Sequence, residues 1–346
     1  MVGIGIIGCG KITQVRHVPE YQENPDAKII GITDTNKERA VELAKRIGCR
    51  SYDSADELLS DRSIDAVSVC TANFTHAELT IKALRSGKHV LCEKPMATTL
   101  EECELMVKEA DKADKFLMIG QNQRLAKAHI RAKELLGQGA IGKVITFRTT
   151  FGHGGPETWS IDPGKNVWFF DKQKSVMGAM ADLGIHKTDL IQYLLGTHVV
   201  KTQAVLATLD KKDAQGNPIG VDDNAICIYT MQNGIIGTMT ASWTFYGKED
   251  NSTILYGTEG IMRIYDDPTY SIVIIRKNGE KTLYNIDAIQ TNDHQTKSGI
   301  IDAFVEHVQQ GTQPEISGKS VLSAMRAVFA SIQSSQTGKA ITIKED

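Results

Sequence analysis

The sequence predicts a two-domain α/β protein, with a doubly wound parallel sheet followed by a mostly antiparallel one. Three observations carry this. The 346 residues exceed what a single ordinary core fills. The first third alternates short, continuously apolar runs with amphipathic helical stretches, as expected of strands buried on both faces and joined by crossover helices. Beyond residue 122 the apolar runs lengthen, alternate with period two and are separated by tight turns, which marks an antiparallel sheet. The expected domains are therefore 1–122 and 123–346.

Taken in order, strands are expected at 4–7, 28–33, 66–70, 90–92 and 116–119, each short, apolar and mostly β-branched. Helical periodicity lies between them at 37–47, 75–85 and 100–113. The last of these opens with two overlapping capping boxes, Thr98 with Glu101 and Thr99 with Glu102. A helix at 127–136 leads into the second half. There, runs 225–231 and 235–244 flank Asn233-Gly234, and runs 272–277 and 280–284 flank Asn278-Gly279. Asn-Gly between alternating runs predicts hairpins with type I′ turns, which need positive φ at both central residues. Helical stretches at 298–310 and 318–337 close the chain and cover one face of this sheet.

Composition narrows the function. An apolar fraction of 41% with 23% charged residues is globular, and a formal net charge of -3 without a long Lys/Arg run leaves no footprint for nucleic acid. The six cysteines, at 9, 49, 70, 92, 103 and 227, make no Cys-x-x-Cys pair. This predicts reduced thiols with neither a disulfide framework nor a structural metal. No segment approaches ~20 uninterrupted apolar residues, and the first residues lack a basic n-region. A cytoplasmic protein without membrane association is expected.

Gly8-Cys9-Gly10 follows the first strand and opens a helix. Gly8 permits the tight turn, and Gly10 lets the backbone approach a pyrophosphate at the helix N-terminus, where N–H groups and the dipole favour an anion. The third small residue of the dinucleotide fingerprint is Thr13 here, which is expected to loosen helix–strand packing or shift the phosphate contacts. Asp34 ends the second strand, where an acidic residue accepts from the adenosine ribose diol and repels a 2′-phosphate; it could instead cap the following helix, as could Asn36. Thr71, Asn73 and His76 follow another buried strand, and Glu93-Lys94-Pro95 the next, all at the carboxyl edge where such sheets bind ligands. His76 serves equally well as a local packing residue. An ammonium at Lys94 beside a reacting hydroxyl would stabilise developing negative charge. The cofactor set expected is Gly8, Gly10, Lys11, Ile12, Asp34, Thr71, Asn73, His76, Glu93 and Lys94, and the cofactor is NAD.

The most chemical stretch of the second half runs from Gly178 to His186. Asp182 and His186 are four apart and share a helix face, so the carboxylate can orient the imidazole for general acid–base work. Trp159, Trp168 and His153 offer a sugar-stacking face or simply core. Trp243 and Phe245 are expected on an apolar patch that drives self-association.

Together these motifs resemble the glucose–fructose oxidoreductase/inositol dehydrogenase family along essentially the whole chain: Gly8-Cys9-Gly10 with Asp34, Thr71-Ala72-Asn73 with His76, Glu93-Lys94-Pro95, and Gly178…Asp182…Gly184…His186. The resemblance implies a Rossmann domain plus an α/β domain on an open, largely antiparallel sheet, assembled as a homodimer or homotetramer. It implies Lys94, Asp182 and His186 as the catalytic set and a sugar, polyol or inositol as substrate, bound through Lys94, Gln121, Arg124, Trp159, Trp168, Asp182 and His186. Gly178-Ala179-Met180 departs from the family's fuller glycine run. Two other activities fit the same motifs: glycoside cleavage by transient oxidation and elimination, and a non-catalytic NAD(H)-binding regulator.

Overall fold

The computed structural model describes residues 1–289 and 297–344. The chain forms two compact units. Among the described residues, one comprises Met1–Gln121, Gln173–Ser175 and the later stretch ending at Leu322; the other comprises the rest.

The first unit is built on a six-stranded parallel sheet: β1 (Val2–Ile7), β2 (Ala27–Thr33), β3 (Arg50–Ser51), β4 (Ala66–Val69), β5 (His89–Cys92) and β6 (Leu117–Ile119), in the order β3-β2-β1-β4-β5-β6. Every residue of β1 and β4 is buried, which is why their sequences run apolar without alternation. The order reverses between β1 and β4, and it is at such a switch point that the carboxyl ends of strands open a crevice. Helices Lys37–Ile47 and Leu100–Ala113 begin and end where their periodicity does. The second starts with the Thr99–Glu102 capping box. The Thr98 hydroxyl donates to the same Glu102 carboxylate at 2.8 Å, so the competing Thr98–Glu101 box is not formed. The short β3 and helix Ala55–Ser60 were not expected; each is too brief to carry a readable period.

Helix Ile300–Gln310 also belongs to this unit, although it lies far beyond residue 122. Its apolar stripe, Ile300, Ile301, Phe304 and Val305, is buried. Polar bonds lock its start: Glu20 accepts from Ser298 N and Oγ at 2.8 and 2.9 Å, and Asn24 donates to Asp302 at 2.7 Å. Amphipathicity identifies the stripe but cannot say which sheet it will cover.

The second unit carries nine strands: β7 (Val144–Gly152), β8 (Val199–Ala207), β9 (Asn224–Met231), β10 (Ile236–Ser242), β11 (Thr253–Gly257), β12 (Gly260–Ile264), β13 (Ile272–Arg276), β14 (Lys281–Tyr284) and β15 (Ile341–Thr342). Their order is β14-β13-β12-β11-β7-β10-β9-β8-β15, and β7 with β10 is the parallel pair. Both Asn-Gly hairpins form, but not with the expected turn. Gly234 and Gly279 have φ of +86° and +84°, whereas the only non-glycine residues at positive φ among those described are Asp114, Val176 and Tyr265. Each hairpin has a three-residue loop closed by Met231 N–Ile235 O or Arg276 N–Glu280 O, with glycine in the left-handed last position, which is a type I turn with a G1 bulge.

One face of this sheet is covered. Ala225, Cys227 and Tyr229 of β9 and Met239 and Ala241 of β10 are fully buried there, and helix Gly318–Thr337 bonds to β8 through Ser334 Oγ, which accepts from Ala204 N at 3.0 Å. The other face exposes Ile226, Ile228 and Ile236 at 56%, 52% and 54%, with Ile145 and Val205 equally open. The expectation that Trp243 lies on this patch is wrong. Trp243 is fully buried, because it falls just past the end of β10 and turns its indole into the unit. Among the described residues no helix is long and apolar enough to cross a membrane.

Candidate active site

Gly8 sits at φ +100°, and a Cβ there would lie 2.4 Å from the Cys70 carbonyl oxygen, so no other residue fits the turn. A Cβ on Gly10 would meet nothing within 4 Å; the space before the turn is open. Lys11 and Ile12 begin the helix that follows, and Gln14 N donates back to Gly10 O at 3.2 Å. The N–H groups ahead of that bond lie in the first turn, where an anion is stabilised. Asp34 reaches the same loop: Cys9 N donates to its Oδ2 at 2.6 Å and Asn36 N to its Oδ1 at 2.7 Å. The helix cap is Asn36, which accepts from Arg39 N at 3.1 Å, so capping does not explain Asp34. An open glycine cradle beside a carboxylate fits an adenosine dinucleotide.

Thr13 does not loosen the packing. It is fully buried, and its hydroxyl donates to Gly8 O at 2.7 Å, tying the helix to the turn that a small residue would only have touched. The helix accommodates it through a π turn over Thr13–His17. That turn delivers His17, whose Nε2 lies 2.9 Å from Glu93 Oε1. Burial pushes the Glu93 carboxyl up, but the bond and charge of His17, with Arg16 and Lys94, outweigh it and hold the group down at about 2. Glu93 is therefore a buried carboxylate at the carboxyl end of β5, and Lys94 follows it, half-buried, in a cis peptide with Pro95.

His76 is not a cofactor contact. It is 1% exposed, with Nδ1 2.7 Å from Pro95 O and Nε2 3.1 Å from Thr71 O, so both ring nitrogens are spent on clasping two loops together. Burial lowers its pKa against the opposing pull of the two carbonyl contacts. Asn73 is similarly committed, donating to Ser175 O at 3.0 Å. Thr71 accepts from the Thr75 hydroxyl at 2.7 Å and stays partly open. Gln121, just past β6, is 1% exposed, and neither its Oε1 nor its Nε2 has a partner among the described residues.

In the second unit Asp182 lies on a π turn, Met180–Gly184, that runs directly into helix Ile185–Leu195, where His186 is the second residue. Both are 6% exposed. Asp182 Oδ2 accepts from the Trp243 indole Nε1 at 3.0 Å, and Trp243 N donates in turn to Asp223 O. The stretch before Asp182 is held by Asp222. Its Oδ1 accepts from Gly178 N at 2.9 Å, its Oδ2 from Met180 N at 2.8 Å, and its carbonyl from Ala179 N at 2.8 Å. This explains how Ala179 and Met180 replace glycines: only Gly178 makes the close approach, with a Cβ site 1.8 Å from Asp222 O. Adjacent Asp222 and Asp223 thus fix Asp182 from its chain and from its side chain. No spacing in the sequence ties residue 222 to residue 178, so neither aspartate was foreseen, nor was Trp243 as a partner of Asp182.

Arg124 is engaged by a carboxylate of its own unit. Its guanidinium grips Asp189 with both Nε, at 2.7 Å, and NH2. Lys187, beside His186, is fully buried, donates to Asn251 O at 2.9 Å, and is taken by burial down to about 7. An aromatic wall lines the Asp182–His186 region. Phe151 lies 6.0 Å from the His186 ring and 5.9 Å from that of His153, His153 packs edge-on to Trp159, and Trp159 to Phe169, which stacks on Trp168 at 3.9 Å. Trp159 and Trp168 are thus brought to the same region as Asp182 and His186.

Two family models account for most of the chain. Residues 2–121 match the model described as "Oxidoreductase family, NAD-binding Rossmann fold", and residues 129–263 match the GFO/IDH/MocA C-terminal domain. The chain belongs to the GFO/IDH/MocA family. It is therefore an oxidoreductase of an NAD-binding family, with the Rossmann part where the glycine turn and Asp34 lie. Within the GFO/IDH/MocA family it is similar to the myo-inositol 2-dehydrogenase of Thermotoga maritima, 27% identical over 345 residues, spanning 99% of this chain and 98% of that one. It is also similar to the levoglucosan dehydrogenase of Pseudarthrobacter phenanthrenivorans, 32% identical over 249 residues, spanning 66% and 63%. The solved structure of a levoglucosan dehydrogenase in complex with NADH and levoglucosan shares the fold with a TM-score of 0.87, at 24% identity and covering 99% of this chain and all of that one.

Proposed function

We propose that this protein oxidises a secondary hydroxyl of a sugar, polyol or inositol, or reduces the corresponding ketone. The observation that carries this reading is that Asp182 and His186, four residues apart, are both buried, with the Asp182 carboxylate fixed by the Trp243 indole and the His186 ring beside Phe151 in an aromatic wall. Bound NAD⁺ supplies the hydride acceptor. His186 takes the proton of the substrate hydroxyl, and Asp182 orients His186 or binds a neighbouring hydroxyl. Lys94 stabilises the alkoxide as it develops, a contribution of roughly 3–4 kcal/mol in comparable electrostatic sites. The named activities of the relatives, on myo-inositol and levoglucosan, are of this class. A screen of sugars, inositols and sugar acids for NADH formation tests the reading, which falls if a folded, NAD⁺-binding protein yields none.

Gly8, Gly10, Lys11, Ile12, Asp34 and Thr71 form the cofactor cradle in this reading. NAD(H) is expected to bind at least about tenfold more tightly than NADP(H), because the Asp34 carboxylate would repel a 2′-phosphate. Calorimetric titration with both cofactors decides it, and equal or tighter NADPH binding removes Asp34 from this role. Since Asp34 also holds Cys9 N, its replacement by alanine should weaken both cofactors by loosening the glycine turn.

The protein acts in the cytoplasm and assembles as a homodimer or homotetramer through the open face of its nine-stranded sheet. Ile226, Ile228 and Ile236 sit on neighbouring strands of that face, with Val205 directly opposite Ile226. Light scattering at micromolar protein should give particles of at least twice the 37.9 kDa chain mass, and Ile228→Asp should shift them to monomer. Monomers of the unaltered chain would refute the assembly.

A further inference from the structure

The second unit holds a cavity of about 650 Å³, within the range of roughly 300–1,000 Å³ typical of small-molecule sites. Its rim starts at His153 and Trp159, the same rings that belong to the wall around His186. Through Phe151, the His153 ring is no more than about 12 Å from the His186 ring. The cavity also takes in Asn251, whose carbonyl accepts from Lys187 next to His186, and Tyr265, Tyr270 and Asp287.

Two observations say what it would hold. Its walls carry two buried donors that lack acceptors among the described residues. Trp159 Nε1 has none, and neither does Asn251 Nδ2, although Asn251 is only 4% exposed and its Oδ1 is taken by Gln123. Buried donors left in this state favour a ligand rich in acceptor oxygens. The charge of the lining is also informative. Lys248 stands against Glu249, Asp267 and Asp287, so the cavity disfavours a phosphate or carboxylate and suits neutral hydroxyls, with Trp159, Tyr265 and Tyr270 as faces for a sugar ring.

We propose that this cavity is a subsite for the non-reacting part of the substrate: a second, neutral sugar ring joined to the one oxidised beside His186. The inference rests on the oxidoreductase reading and narrows it to neutral glycosides, as against free monosaccharides or sugar phosphates. A span of no more than about 12 Å is within reach of two linked rings, and Trp159 belongs both to the aromatic wall and to the cavity rim.

The test compares glucose, glucose 6-phosphate and the neutral disaccharides maltose, cellobiose, lactose and trehalose as substrates of the NAD⁺-loaded protein. At least one disaccharide should exceed glucose in kcat/KM by tenfold or more, and glucose 6-phosphate should fall below glucose. Asn251→Ala and Tyr270→Ala should each bring the disaccharide-to-glucose ratio toward one. Tyr270 lies half-exposed on the rim, which makes its replacement the safer variant for folding. Glucose matching every disaccharide, or the phosphate proving best, overturns the subsite. If none of the panel yields NADH, the same sugars are titrated calorimetrically. Disaccharide binding that Tyr270→Ala weakens at least fivefold keeps the subsite and refutes only the chemistry. No disaccharide binding refutes the subsite itself.

Discussion

Replacing His186 with alanine is expected to lower kcat by roughly two to four orders of magnitude while NAD⁺ affinity stays within about twofold. The imidazole is asked to move a proton only as the substrate hydroxyl is oxidised, so its loss should appear in the chemical step and not in cofactor binding. Lys94→Ala should show the same pattern through lost stabilisation of the alkoxide. The double variant should be far from additive, because both groups serve one proton-transfer event. Steady-state kinetics on a substrate from the screen, with calorimetry for NAD⁺, checks all three proteins. Near-normal turnover in a folded His186→Ala protein would leave Lys94 as the acid–base candidate. Asp182→Asn keeps an acceptor for the Trp243 indole. It should therefore cost less than His186→Ala if Asp182 only orients the ring, and as much or more if it also grips a substrate hydroxyl.

The second large effect is expected at a residue that touches no substrate. Gly178→Ala should destabilise the protein by roughly 3–5 kcal/mol, since the added methyl would overlap a backbone carbonyl that cannot give way cheaply. That carbonyl, Asp222 O, is itself held by Ala179 N, and its side chain holds Gly178 N and Met180 N, so any shift breaks several bonds at once. Asp222→Asn should cost about 2–3 kcal/mol, because one carboxylate oxygen becomes a donor facing an N–H. Burial already pushes the Asp222 carboxyl up against the pull of those two N–H groups, so the anchor is finely balanced. Both variants should also depress kcat by tenfold or more, since Asp182 follows directly. Urea denaturation and turnover of the surviving folded fraction give the readout, and a loss below about 1 kcal/mol in Gly178→Ala would show that the loop relaxes freely.

How far each site could be read beforehand depended on whether its residues are tied by local rules. Gly8-Cys9-Gly10 and Asp34 were legible because a strand-to-helix turn and the end of the next strand have fixed places in a doubly wound sheet. Asp182 and His186 were singled out because four residues make about one helical turn, though the π turn beneath Asp182 left no mark in the sequence. His76 and Arg124 looked equally functional, and the structure shows each engaged by tertiary bonds: the first clasps Thr71 O to Pro95 O, the second grips Asp189. Nothing in their spacing distinguishes a committed side chain from one presented to a ligand.

The sequence by itself determined most strands of the parallel sheet, the longer helices and the place of the two Asn-Gly hairpins, since these follow from periodicity, caps and glycine turns acting within a few residues. It also determined the chemistry available at each strand end. Tertiary structure alone decided which partners those groups met. It brought Asp222 to Gly178 and Trp243 to Asp182, and returned helix Ile300–Gln310 to the parallel sheet. It also buried Trp243 while leaving Ile226 and Ile228 open. The physical reason is the same in each case. Hydrogen bonds and apolar burial between distant segments depend on how the chain packs, and a linear pattern records only that a group needs a partner, not which partner it finds.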